Sequence, residues 1–300
     1  MGLRVATRGS ALARWQAEHV IGLLREVEPS LLAELVIVET HADRQPEVPI
    51  AELGGKGVFA KEVQTAVLED QADVAVHSAK DLPAVTPAGL VLAAVPERGD
   101  PRDALVGTDL AGLPDGAVVA TGSLRRRAQL AHVRPDVRFE ELRGNIPTRL
   151  KKAEQFNAVI LAAAALERLG EADRIAERLQ PDVMLPQVGQ AALAVECRRD
   201  DQDTRAMLER IEHGATRRCI DAERGFLTGL GGDCSLPAAA HASLAGDRLR
   251  IEGIVASPDG RKLLRHEVSG PATAGAALGR SLASHLLDEQ GGASLLGLST

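Results

Sequence analysis

The segment TGSLRRRAQL (121–130) puts Thr121 and Ser123 on a strand-to-helix turn and Arg125, Arg126 and Arg127 in the first turns of the helix that follows. Cations at that end of a helix oppose its dipole, so an anionic ligand there would offset a standing cost. Arg143 and Arg149 in ELRGNIPTRL supply two more guanidinium forks on the next strand-to-helix turn. Such a set suits several carboxylates bound bidentately. TRGS (7–10) repeats the arrangement near the N-terminus: Gly9 permits a tight turn, Ser10 can cap the helix, and Arg8 stands beside backbone N–H groups that can hold an anion. Among these cations one carboxylate stands out. In HSAKDLP (77–83), Asp81 follows the apolar run ADVAV and sits next to Lys80, where it can stabilise a positive charge or move a proton. GGKGVFAKE (54–62) reads as a glycine-hinged loop with Lys56 at its tip, and GLGGDCSLP (229–237) sets Cys234 in a flexible turn. Each also has a plainer reading: a capped βα turn, a solvated basic face, a surface Lys80–Asp81 ion pair worth little, a simple connection.

The elements that must position these residues alternate. LRVAT (3–7) is β-prone, apolar residues recur at helical spacing through Trp15, Val20 and Leu24, and LAELVIVET (32–40) is a strand again. A helix over about 57–69 and the strand 72–78 complete a βαβ pattern on a largely parallel sheet. After the Pro-rich stretch 82–103 the pattern restarts: strand GAVVATGS, helix LRRRAQLAHV, strand VRFEELR, helix 147–155, strand NAVILAAAAL and helix 166–179. The arginines fall at strand carboxyl ends, where open α/β sheets bind ligands. Segments 96–103 and 181–190 read as linkers, and the strand LAVECRRDD is expected to return to the first sheet. Beyond a helical region from 204 to 230, residues 238–270 alternate as antiparallel strands with Pro-Asp-Gly (258–260) as a hairpin turn, and a helix 273–288 follows. The expected organisation is domain 1 over 1–97 and 191–211, domain 2 over 98–190 and domain 3 over 212–300.

Composition narrows the function. The 300 residues include one Trp, four Phe and no Tyr, so an aromatic cage for a ligand is not expected. A net charge of −7 argues against a nucleic-acid partner. Three cysteines without Cys-x-x-Cys spacing imply neither a disulfide framework nor a metal site. Arginines near the N-terminus and the lack of a long apolar stretch point to a soluble, cytoplasmic chain without membrane association.

Taken in order, TRGSALARWQ, GGKGVFAKE, ADVAVHSAKDLP, TGSLRRRAQL, LRGNIPTRL, LPQVGQAALAVECR and the turn around Cys234 resemble the porphobilinogen deaminase family over essentially the whole chain. The resemblance implies two α/β domains like those of type II periplasmic binding proteins plus a small C-terminal α+β domain. It implies a transferase that polymerises four porphobilinogen molecules, with loss of ammonia, into hydroxymethylbilane on a dipyrromethane cofactor. Cys234 then holds that cofactor by a thioether, reaching from its own domain toward the other two, and Asp81 is the catalytic aspartate. Lys80, Thr121, Ser123, Arg125 and Arg126 match cofactor-binding positions, together with Asp81. Arg8, Ser10, Arg143, Arg149 and Arg168 match substrate-binding positions, Lys56 belongs to the mobile loop, and a monomer is implied.

The chain departs from the family pattern in places. Asp233 separates Gly231-Gly232 from Cys234, which would raise the thiol pKa. Ala238–240 follow Pro237 where glycine is common, Ala191 stands where glycine often follows Gln190, and Glu52 occupies a position that is basic in some members. Two rivals are weighed. A non-catalytic anion-binding module of the same architecture would have no use for Cys234, and a Cys-dependent hydrolase would need a base such as His213 or His241, neither in a recognisable nucleophile motif.

Overall fold

The computed structural model describes residues 2–44, 57–232 and 236–298. In chain order the elements are β1 (Gly2–Arg8), α1 (Ala11–Val27), β2 (Leu32–Val38), α2 (His41–Arg44), α3 (Lys61–Leu68), β3 (Val74–Ser78), β4 (Leu90–Ala94) and β5 (Asp103–Val106). Next come β6 (Val118–Ala120), α4 (Leu124–Val133), β7 (Arg138–Glu140), α5 (Ile146–Lys152), β8 (Ala158–Ala162), α6 (Ala163–Arg168), β9 (Ile175–Arg178) and β10 (Leu193–Arg198). The chain continues with α7 (Gln202–Glu209), α8 (Gly214–Gly229), β11 (Ala238–Ala245), β12 (Arg248–Ala256), β13 (Leu263–Pro271), α9 (Gly275–Ser284) and α10 (Gly292–Leu295). Contacts divide it into two units, residues 1–99 with 191–217 and residues 100–190 with 218–300.

The first unit holds a five-stranded sheet of order β2-β1-β3-β10-β4. β1 runs parallel to β2 and β3, while β10 is antiparallel to both of its neighbours, β3 and β4. Successive strand residues face opposite sides, so Val5 and Ala6 fall into different apolar clusters. α1 covers one side with Ala17, Val20, Ile21 and Leu24, and α3 covers the other with Val63, Ala66 and Val67.

The second unit repeats the arrangement as β7-β6-β8-β5-β9, with β5 as the antiparallel strand. Leu105 and Ile160 pack on one face while Val106, Val159 and Leu161 pack on the other. Its C-terminal part is the antiparallel sheet β11-β12-β13. The β12–β13 turn at Gly260 lies against α4, with His132 Nδ1 3.0 Å from the Gly260 carbonyl oxygen. The fold class is α/β as expected: two mixed five-stranded sheets and a small C-terminal α+β part.

One local expectation fails for an identifiable reason. The helix expected over 166–179 stops at Arg168; Gly170 adopts φ +73°, and Ile175–Arg178 pair with β5 as an edge strand. Cross-strand pairing from distant sequence there overrides local composition. The expected linker 96–103 spans the boundary between the two units, and its last residue, Asp103, opens β5. The Pro-rich stretch 82–103 contains β4, with the prolines outside the hydrogen-bonded run.

Candidate functional site

In the first unit the chemistry gathers where β1 and β3 end side by side. Ser10 caps α1, its Oγ accepting from Ala13 N at 3.3 Å. Arg8, the last residue of β1, lays its guanidinium over the Phe59 ring, 4.3 Å from the centroid, a cation–π contact. β3 leads into a single turn, Ala79–Asp81, which carries Lys80 and Asp81. That turn is anchored from both sides: Ala79 N donates to Ala192 O, and Gln16 Nε2 donates to Ser78 Oγ at 2.7 Å. Asp81 is half-buried, and among the described residues its carboxylate makes no hydrogen bond or ion pair. The same unit holds a buried polar set that residue type and spacing do not reveal. Gln64 Nε2 donates to Glu196 Oε2 at 2.8 Å, and His77 Nε2 lies 3.4 Å from the same oxygen.

In the second unit Thr121 and Ser123 follow β6, and Ser123 caps α4 through Arg126 N. Arg125 and Arg126 are 3% and 6% exposed despite their charge. The residue that permits this was not found from the sequence. Asp103, fully buried at the start of β5, takes Arg125 Nη1 on Oδ2 at 2.7 Å and Arg126 Nε on Oδ1 at 2.9 Å. Burial alone would raise the Asp103 carboxyl; the charges of Arg125 and then Arg126 overcome it and hold the group well below the usual carboxylate range. Burial lowers Arg126, with Asp103 opposing. Gln190 Nε2 also reaches Asp103 Oδ1 at 3.0 Å, and Gln129 bridges to the Leu185 backbone. The signal was available: an aspartate heading a strand otherwise made of Ala, Leu and Val.

Arg125 Nε and Nη2 are buried with no partner. These two nitrogens share one edge of the guanidinium, the side-on fork that binds a carboxylate with two parallel hydrogen bonds. An unmet buried N–H is costly, and the protein itself supplies these two donors with no acceptor.

The remaining predicted arginines belong to the same unit. Arg143, on the turn after β7, pairs with Glu141 at 2.9 Å, and Arg149, in the helix α5 that Asn145 caps, donates Nε back to Gly144 O on that turn at 2.7 Å. Arg168 closes α6 after β8, and burial lowers its pKa with Glu167 opposing. Thr121 and Ser123 thus sit on the turn after β6 and Arg143 on the turn after β7, Arg125, Arg126 and Arg149 lie in the helices α4 and α5 that those turns open, and Arg168 lies one short helix beyond β8. Cys234 and Lys56 lie outside the described residues. Cys197 is buried, with its thiol pushed up to about 11 by burial and then by Asp201.

Comparison with known proteins matches two family models in succession. Residues 3–206 match the porphobilinogen deaminase dipyromethane cofactor binding domain, and residues 217–288 match the porphobilinogen deaminase C-terminal domain. A porphobilinogen deaminase of Geobacter metallireducens is 45% identical over 95% of this chain and 91% of its own. One of Syntrophotalea carbinolica is 46% identical over 95% and 92%. Among solved structures, the VFT2 domain of BvgS from Bordetella pertussis is a remote likeness, at 17% identity and a TM-score of 0.43, over 70% of this chain and 86% of that one. With both domain models matched in order and relatives this similar along nearly their whole length, the chain belongs to the porphobilinogen deaminase family.

Proposed function

We propose that the chain is a transferase, hydroxymethylbilane synthase, which joins four porphobilinogen molecules with loss of ammonia into a linear tetrapyrrole on a covalently held dipyrromethane. The observation that carries this reading is the buried, unpartnered Nε/Nη2 edge of Arg125, within the segment that matches the cofactor-binding domain. Each pyrrole of such a cofactor bears an acetate and a propionate, and a side-on fork fits either carboxylate. When bound, the dipyrromethane supplies the terminal pyrrole carbon on which the chain grows.

The protein's own groups divide the remaining work. Arg125, with Lys80, Thr121 and Ser123, holds cofactor carboxylates, while Arg126, matched to the same role by the resemblance, turns its nitrogens to Asp103 and the Ile160 carbonyl and braces that pair instead. Arg8, Ser10, Arg143, Arg149 and Arg168 hold those of porphobilinogen and of the lengthening product. Asp81, whose carboxylate has no partner among the described residues, faces no internal competition for a cation. It assists ammonia departure and stabilises the positive pyrrole nitrogen by charge-assisted hydrogen bonds. Cys234 anchors the cofactor through a thioether, and Lys56 belongs to the glycine-hinged loop that the resemblance implies. The working unit is a cytoplasmic monomer with domains over 1–97 with 191–211, 98–190 and 212–300. Among the described residues no helix is long and apolar enough to cross a membrane.

The test is the intact mass of the purified chain before and after incubation with porphobilinogen, with peptide mapping around residue 234. A gain of pyrrole units with a dipyrrole on Cys234 is expected. A chain that takes up none under either condition sinks the proposal and leaves an anion-binding module.

A further inference from the structure

Two guanidinium groups and one carboxylate form a buried cluster in the second unit, and its charges do not balance. Arg126 is spent within the protein: Nε and Nη2 both contact Asp103 Oδ1, and Nη1 donates to Ile160 O at 2.9 Å. Arg125 commits only Nη1, to Asp103 Oδ2 at 2.7 Å and to Leu185 O at 2.8 Å. Its other edge is left with buried N–H groups and no acceptor. The cluster therefore carries one surplus positive charge, and its unmet donors lie on the guanidinium that carries the surplus. A buried charge is tolerated when paired and hydrogen-bonded, so a second carboxylate on Arg125 would complete both counts.

What fixes the direction of that edge is Asp103. A guanidinium is rigid and planar, so pinning Nη1 from two sides sets the plane and with it the aim of Nε and Nη2. Asp103 is itself held. Arg126 and Gln190 Nε2 share its Oδ1, and Gln190 Nε2 also donates to Pro101 O at 2.7 Å. We propose that Asp103, steadied by Gln190, is a positioning residue that orients the side-on fork of Arg125 toward a carboxylate of the bound pyrrole chain. The inference rests on the function proposed above and adds a residue to it. Asp103 touches neither cofactor nor substrate and acts through Arg125.

The experiment uses the full chain as wild type, Asp103→Asn, Asp103→Glu and Gln190→Met, each prepared without cofactor and incubated with porphobilinogen. Pyrrole uptake is followed by intact mass and normalised to the folded fraction from circular dichroism. Asp103→Asn is expected to slow loading about tenfold or more, the scale of one charge-assisted hydrogen bond. Asp103→Glu, which keeps the anion, is expected to recover a substantial part of the rate. Gln190→Met, which leaves both ion pairs in place, is expected to slow loading severalfold and supplies the test if Asp103→Asn does not fold. Wild-type loading by folded Asp103→Asn, or by Gln190→Met, overturns the positioning role. Slow loading that Asp103→Glu does not improve overturns it too, because loss of packing alone then accounts for the defect. Failure of the wild type to take up any pyrrole instead overturns the function on which the inference rests.

Discussion

Gln16 Nε2 donates to Ser78 Oγ across 2.7 Å, joining the helix that Ser10 caps to the end of the strand that leads into Asp81. Gln16 is buried on α1 and Ser78 half-buried, so the bond is partly shielded from water and ties together two strand ends that each carry proposed site residues. Replacing Gln16 with Met keeps the length and removes the donor. The expected cost is about 1 kcal/mol of stability, with a larger fall in kcat than in the affinity for porphobilinogen, because the Lys80–Asp81 turn loses an anchor while the arginine forks of the second unit are untouched. Steady-state kinetics beside thermal melts read both effects.

Asp81→Asn separates chemistry from folding. The carboxylate makes no hydrogen bond or ion pair among the described residues, so the amide loses no internal partner, and the unfolding free energy should stay within about 0.5 kcal/mol of wild type. Turnover should fall by roughly 10²- to 10⁴-fold, the range for removing a charged group that stabilises the transition state or moves a proton. Quenched-flow or steady-state assays on cofactor-loaded protein measure the drop. Activity within tenfold of wild type would remove Asp81 from its role.

The legible and illegible parts of the chain differ in the range of the interaction. α4 begins where the sequence says it should, because Ser123 supplies a local cap and the apolar spacing supplies a face. Local composition favours helix over β9 because Ile-Ala-Glu-Arg has good helix formers, and its pairing with β5, about seventy residues earlier, outweighs them. The arginines and Asp81 announced themselves by type and by place on strand-to-helix turns. Asp103 did not, because its meaning depends on Arg125 and Arg126 twenty-two and twenty-three residues away. Nor can residue type tell which guanidinium nitrogens are already spent. That takes the register of β5 against β8.

Ala191 has φ +67°, a conformation that suits glycine, at the position where the family pattern often has one. An L-residue pays about 1–2 kcal/mol there, while glycine costs about 0.5–1 kcal/mol through the unfolded chain. Ala191→Gly should therefore stabilise the protein by about 0.5–1 kcal/mol, and Ala191→Val should destabilise it by a larger margin. Urea unfolding of the pair decides, and a destabilised glycine variant would mean that the buried methyl group matters more than the backbone strain.

Gly260 makes the opposite case. It has φ +72°, and a Cβ there would meet Ala128 O at 2.5 Å, Ala131 Cβ at 2.7 Å and His132 N at 2.9 Å. All three lie on α4, the helix that carries Arg125 and Arg126. Gly260→Ala should cost about 2–4 kcal/mol, combining left-handed strain with a backbone overlap that cannot relax by rotamer change. Because the clash falls on the far half of α4, cofactor loading per folded molecule should drop along with the melting temperature. A variant as stable as wild type would mean that the β12–β13 turn does not press on the helix in solution.

Cys197 offers a check on the core of the first sheet. It is fully buried on β10, and burial, reinforced by Asp201, pushes its thiol up to about 11. The reactive species is the thiolate, so at pH 8 only about one molecule in a thousand would be ionised there, and that one would be shielded from reagent. Iodoacetamide at pH 8 should leave Cys197 unmodified in the native protein and alkylate it in guanidinium chloride, as read by peptide mapping. Native labelling at a rate near that of a free thiol would show that β10 opens locally. That would place the strand between β3 and β4 among the less protected parts of the sheet, although it is flanked by hydrogen-bonded partners on both sides.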